Sequence, residues 1–180
     1  MPEIIIRQAT GDDYEALSEL FAHGADMHHA AEPGIIGPSS DRPISREFIE
    51  RFAQGRDTTL LVAELEDEQT VVGFAQLVVE DTGERPGLMP RRYVLVIDVE
   101  VLEAHRGQGI GHKLMAASEE WARVRGATQM ELSVWDFNDR ARALYESLGY
   151  RTTYRQMLKE LPPTDEGRRS KDEGRPAGNE

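Results

Sequence analysis

Arg106-Gly107-Gln108-Gly109-Ile110-Gly111 joins two runs of different character. Residues 93–101 before it are apolar and β-rich, and residues 110–125 after it carry Ile110, Leu114, Ala117, Trp121 and Ala122 at helical spacing. The pattern predicts a strand, a tight glycine turn and a helix start. Backbone N–H groups at a helix N-terminus have no intrahelical partners, and glycines let a diphosphate approach them with no Cβ in the way. The turn therefore reads as a phosphate cradle.

Around this turn, 180 residues suffice for one domain with a full core and a cleft. The expected domain is 1–161. From 162 to 180 the chain holds Pro, Gly, Asp, Glu, Arg and Lys without a large apolar residue, and is expected to be a flexible polar tail. With 39% hydrophobic and 30% charged residues and no run of membrane-spanning length, the composition is that of a soluble protein. Met1-Pro2-Glu3-Ile4 lacks the basic and apolar regions of a secretory signal, so a cytoplasmic location is expected. The absence of cysteine excludes disulfides, thiolate zinc sites and an acyl-cysteine intermediate, and no metal site is expected. A net charge of −12 argues against nucleic acid and is compatible with a cationic partner such as an amine, or simply with solubility.

The chain before the turn reads as strands and helices. Ile4 to Arg7 is a first strand. Thr10 and Asp13 form a capping-box-like start for a helix with Tyr14, Leu17, Leu20 and Phe21 on one face. Residues 23–42 read as the end of that helix plus a loop. Ser45 is expected to cap a second helix, with Ile44 and Ile49 at the spacing of a hydrophobic staple, Phe48 and Phe52 on its apolar face, and Gly55 at its end. Thr58–Leu65 and residues 71–79 read as an antiparallel hairpin, followed by a polar loop over 80–90. After the glycine turn and its helix come a strand over 128–134, a helix capped by Asn138 with Ala141, Leu144, Tyr145 and Leu148 on one face, and a last strand over 150–158.

Three nucleotide sites use glycine turns of this kind. A triphosphate loop requires Gly-Lys followed by Ser or Thr, whereas Gly111 is followed by His112 and Lys113. A dinucleotide fingerprint requires a small residue where His112 stands, although Glu131 lies near the place of its ribose-binding acid. The third reading takes Arg106, Gly109 and Gly111 as Arg-x-x-Gly-x-Gly. Here the sequence resembles the GCN5-related N-acetyltransferases, the GNAT superfamily. The segment from Asn138 to Tyr150, Asn-Asp-Arg-Ala-Arg-Ala-Leu-Tyr-Glu-Ser-Leu-Gly-Tyr, is similar to that family's other cofactor segment. The two motifs together are specific, and the resemblance extends from about Ile4 to about Leu158.

The resemblance implies an α/β fold: a mixed, mostly antiparallel β-sheet flanked by helices, the GNAT acyl-CoA N-acyltransferase fold, whose central strands 93–101 and 128–134 splay apart with acetyl-CoA in the gap. It implies transfer of an acetyl group from acetyl-CoA to a primary amine of a small molecule or peptide by direct attack in a ternary complex. A non-catalytic acyl-CoA sensor or structural module of the same fold is the alternative. Backbone groups around Val99 and Val101 would meet the pantetheine and thioester, and the turn Arg106, Gly107, Gln108, Gly109, Ile110 and Gly111 the phosphates. Arg106 is open to a second role, bracing the turn.

Asp98 and Glu100 share a strand face by alternation, opposite Leu95, Ile97, Val99 and Val101, and are the sequence candidates for the base that takes the ammonium proton. His28 and His29 are weaker candidates. The resemblance makes the phenol of Tyr145 the proton donor to the CoA sulfur and places Asn138 at the cofactor. Both also have structural readings, Tyr145 as part of an apolar helix face and Asn138 as an N-cap. The acceptor is expected to be set by residues 23–42, the helix start at Ser45 and residues 80–90. Neither nucleic acid nor membrane is an expected partner, and monomer and homodimer are both open.

Overall fold

The computed structural model describes residues 3–41, 43–84, 86–87 and 89–161. The chain divides into two units, Met1–Gly149 and Tyr150–Glu180. The expected tail 162–180 lies outside the described residues, as do Arg42 at the end of the first loop and Arg85 and Leu88 of the second.

The first unit is built on five strands in sequential order: β1 (Ile4–Gln8), β2 (Thr58–Leu65), β3 (Thr70–Asp81), β4 (Arg92–Val101) and β5 (Gln129–Leu132). The first three pairings are antiparallel and β4–β5 is parallel, so the sheet is mixed and mostly antiparallel. Strands β2 and β3 are buried almost continuously, which requires cover on both faces. On one face α1 (Tyr14–Ala31) and α2 (Arg46–Ala53) bury Leu17, Leu20, Ile49 and Ala53 against Leu60, Val62 and Phe74. Phe21 packs on Phe74 with ring centroids 4.3 Å apart. The other face is covered by α3 (Ile110–Val124), which buries Ile110, Leu114, Met115 and Ala122.

Local signals explain where elements start. Thr10 N donates to Asp13 Oδ2 at 2.7 Å, and the box opens a single 3₁₀ turn, Gly11–Asp13, that runs into α1. Asp13 is held below the ordinary carboxylate range: burial pushes it up, but the Arg7 guanidinium and Thr10 outweigh that. Ser45 accepts from Phe48 N and caps α2.

Two expectations are corrected, while residues 23–41 are, as expected, the end of a helix and a loop: the helix from Tyr14 runs to Ala31, so all of 23–31 is helix. The loop after it is held back on α1 by Ser39 N to Asp26 at 2.9 Å and His29 Nδ1 to Ile36 O at 2.6 Å. The strand expected over 128–134 spans only Gln129–Leu132, because β4 bends away beyond Val96. Residues 150–158 form no strand, and Tyr154, Met157 and Leu158 are exposed. Among the described residues no helix is long and apolar enough to cross a membrane.

Candidate active site

The site begins with a defect in β4. Leu77 pairs with Val96, yet Gln76 pairs with Asp98, so Ile97 is an extra residue, a β-bulge. The parallel pairing with β5 ends at Val96 and Leu132, one residue before the bulge. Beyond it β4 continues to Val101 alongside β3 alone, and a gap opens where β5 no longer reaches.

The bulge also corrects the expected alternation. Partner register puts Asp98 and Glu100 on the face of Gln76 and Phe74, toward α1, and Val99 and Val101 on the opposite face. Leu95, expected with Val99, lies instead on the carboxylates' side, because the extra residue reverses the count. Leu102 N donates to Val72 O at 2.9 Å, which makes that a hydrogen-bonded pair. Alternation in an antiparallel ladder then turns the N–H groups of Val99 and Val101 away from β3 and into the gap.

A cavity of about 530 Å³ occupies this gap. Val99, Glu100, Val101, Arg106, Gly107, Gly109, Ile110 and Gly111 line one side, and Asn138 and Tyr145 the other. Gln108 is exposed and Asp98 is not among the lining residues. Gly107 and Gly109 have φ of +80° and +79°, conformations that place the turn's amides at the start of α3. At Gly111 the requirement is space: a Cβ would sit 3.0 Å from Leu144 Cδ2 on α4 (Asp139–Ser147).

Asn138 does cap α4, its side chain accepting from Ala141 N at 3.0 Å. Its face of Ala141, Leu144 and Tyr145 forms cavity wall rather than core, and none of the helix's side chains is fully buried. For Tyr145 the apolar-face reading and the cleft reading thus coincide. Burial pushes its phenol up to about 12, with the negative charges of Asp98 and Glu100 adding to the shift. Asp98 is pushed up to about 6, again first by burial and then by Glu100. Asp98 and the phenol therefore both feel the charge of Glu100.

Glu100 is occupied. It is 5% exposed, accepts from Arg106 Nη2 at 2.8 Å, and has His23 Nδ1 at 3.4 Å, an ion-pair distance without hydrogen-bond alignment. Arg106 also donates from Nε to Val101 O at 2.8 Å. His28 stands beside Trp135 and Phe137, while His29 is engaged by Ile36. Cavity residues that sequence reasoning did not single out include Met27, His105, His112 and Arg140. Arg140 was legible as a cation in the first turn of a cleft-lining helix; Met27 was not, because 23–42 lacked a clear period. Among the described residues no cluster of three or more His, Asp or Glu is placed to hold a metal ion.

A splayed parallel pair with a glycine turn at its mouth can be compared with known proteins. The model of the acetyltransferase (GNAT) family matches residues 25–150. The chain belongs to the GNAT family. An uncharacterized N-acetyltransferase of Bacillus subtilis, YhfO, is 30% identical over 145 residues, covering 81% of this chain and 88% of that protein. A crystal structure of a point mutant of the BH1408 protein from Bacillus halodurans superposes on this GNAT domain with a TM-score of 0.82. It is 29% identical and covers 88% of this chain and 99% of that one. An aminoglycoside N-acetyltransferase solved in complex with CoA shares the fold, with a TM-score of 0.65 at 19% identity over 89% of this chain and 96% of that one. This GNAT protein is an N-acetyltransferase.

Proposed function

We propose that the enzyme transfers the acetyl group directly from acetyl-CoA to a primary amine in a ternary complex, with Asp98 as the base and Tyr145 as the acid. The observation that supports this reading is that Tyr145 lines the cavity in the β4–β5 gap and feels the charges of Asp98 and Glu100, which stand on β4 just beyond the bulge. In this reading the amides of the turn and of the first turn of α3 meet the phosphates of CoA, and the N–H groups of Val99 and Val101 meet the pantetheine and the thioester oxygen. The residues fit such a ligand: the cavity follows the turn, and Gly111 leaves it free of a Cβ that would push on α4.

The step balances as follows. Asp98 takes the ammonium proton and frees the nitrogen lone pair; the N–C bond forms and the C–S bond breaks. Tyr145 gives its proton to the departing thiolate; the second proton leaves the attacking nitrogen as the C–S bond breaks and, through solvent, restores the phenol, and Asp98 then releases its own proton to solvent. A carboxyl raised to about 6 is ionised at neutral pH and still basic enough to accept that proton, and a phenol at about 12 is protonated and able to give one. Asp98 is favoured over Glu100 because Glu100 is held by Arg106. A cationic small molecule or peptide amine suits the net charge of −12.

The test is a thiol-release screen with acetyl-CoA against small amines, amino acids, amine-bearing antibiotics and peptide N-termini. Thiol release that depends on the amine, with the acetylated amine found in equal amount, is expected. Thermal stabilisation by CoA with no turnover of any acceptor would instead favour an acyl-CoA sensor.

A further inference from the structure

Three aromatic rings meet beside the cleft. His28, on α1, has its ring centroid 6.2 Å from that of Trp135 and 6.0 Å from that of Phe137. Trp135 and Phe137 stack at 6.0 Å with an interplanar angle of 26°. The two come from the loop between β5 and α4, so the rings span the mouth of the gap between α1 and the β5 side. None of the three is fully buried, and Phe137 is 40% exposed.

The three rings are not among the residues that line the cavity but stand next to it. Met27, the neighbour of His28, lines the cavity, and the charge of Glu100 is felt at the His28 imidazole. Burial nevertheless holds His28 below its ordinary range, so the imidazole is neutral at neutral pH and adds a third uncharged π-face. The loop is fixed before any ligand arrives. Asn138 N donates to Trp135 O at 3.0 Å, Asp139 N to Phe137 O at 3.1 Å, and Arg142 Nη1 to Asp136 O at 3.3 Å. The nearby cation Arg142 is taken up by Asp136 and Asp139.

We propose that His28, Trp135 and Phe137 form the acceptor-binding site, an aromatic platform for an ammonium group of the acceptor. This rests on the acetyl-transfer reading above. Partly open π-faces that carry no charge, beside two carboxylates and in a chain of net charge −12, fit an organic cation better than a neutral or acidic group. The attacking nitrogen gives up its proton at Asp98. The charge held on the rings therefore belongs to a second ammonium of the same molecule, and the acceptor carries at least two.

The probe is choline, compared with its uncharged isostere 3,3-dimethyl-1-butanol, with binding read by tryptophan fluorescence in the acetyl-CoA-free enzyme. Saturable quenching by choline is expected, about 5-fold or more tighter than by the isostere. His28→Leu and Phe137→Leu should each weaken choline by about 3-fold or more, and Phe137→Tyr should preserve it, while thermal stabilisation by CoA is unchanged in all three. Equal binding of choline and isostere would reduce the platform to an apolar patch and overturn the proposal, as would no quenching. In turnover with an acceptor from the screen, choline should raise KM for the amine and not for acetyl-CoA; inhibition that the amine cannot overcome would overturn the acceptor assignment. Should no amine be acetylated, the transfer reading fails and the acceptor role falls with it, whereas choline quenching would still show the rings binding a cation.

Discussion

Arg106 Nη2 lies 2.8 Å from Glu100 Oε1, inside a sheet edge where Glu100 is almost fully buried. The arginine of the glycine turn thus ties the turn to β4, doubly so through Val101 O. Its charge is spent on a buried carboxylate, so in the proposed reading the phosphates would fall to the backbone amides of the turn.

Removing that brace leaves a buried charge with a weakened set of partners. Arg106→Ala should cost about 2 kcal/mol in urea unfolding, with a smaller proportional effect on KM for acetyl-CoA. A variant of wild-type stability whose only defect is a large rise in that KM would make Arg106 a direct phosphate ligand instead.

Tyr145→Phe removes one oxygen from the cavity wall and keeps the apolar contact on α4. The expected result is a fall in kcat of roughly 10²-fold with acetyl-CoA binding by calorimetry unchanged. Unchanged kcat where chemistry limits the rate would take the acid role away from the phenol.

Asp98 should set the acid limb of the rate profile. Its folded value of about 6 lies above that of an ordinary aspartate near about 4, so kcat/KM should fall as pH drops through about 6. Asp98→Asn should abolish that limb and most turnover, while Glu100→Gln, if folded, should keep the limb but move it to lower pH, because one of the charges that raises Asp98 is gone. The stability sign is the reverse of a salt-bridged carboxylate. A raised folded value means the native state binds more protons between about 4 and about 6, so stability is lost as pH rises through that window. Asp98→Asn should therefore melt higher than wild type at pH 8, with the gap closing toward pH 4; a lower Tm at pH 8 would contradict burial as the cause of the shift.

At Gly111 the constraint is the 3.0 Å approach of Leu144 rather than the backbone angle. Gly111→Ala should push α4 outward and raise KM for acetyl-CoA several-fold. Leu144→Ala in the same chain should restore part of it, a coupling that kinetics of the double-mutant cycle would measure. Additive effects would mean that the two side chains do not meet.

The candidate site was legible to different depths. Gly107, Gly109, Gly111 and Asn138 could be found because turn and cap chemistry leave local marks, and most of the residues expected at the cofactor do line one cavity. The aromatic platform could not be found, since His28 and the pair Trp135 and Phe137 are more than a hundred residues apart and carry no shared spacing. Where α1 ends within 23–42 was equally hidden: Gly24, His28 and His29 weaken the helical signal, and the closeness of Gly24 to Glu100 shows why a small residue stands there.

For the glycine turn and its two flanking elements, the sequence was sufficient, because a strand, a positive-φ turn and an amphipathic helix each follow from neighbours within a few residues. The same holds for the caps at Thr10, Ser45 and Asn138, where a side chain meets an amide three positions or fewer away. Only tertiary structure decided that Glu100, and not Asp98, is the carboxylate that Arg106 holds. Strict alternation makes Asp98 and Glu100 equivalent. The bulge at Ile97, a property of the pairing of β4 with β3, opens the gap, and Arg106, six residues beyond Glu100, binds that carboxylate only once the turn has folded back. Burial, bulge and ion pair are set by elements brought together from across the chain, and a linear pattern does not carry them.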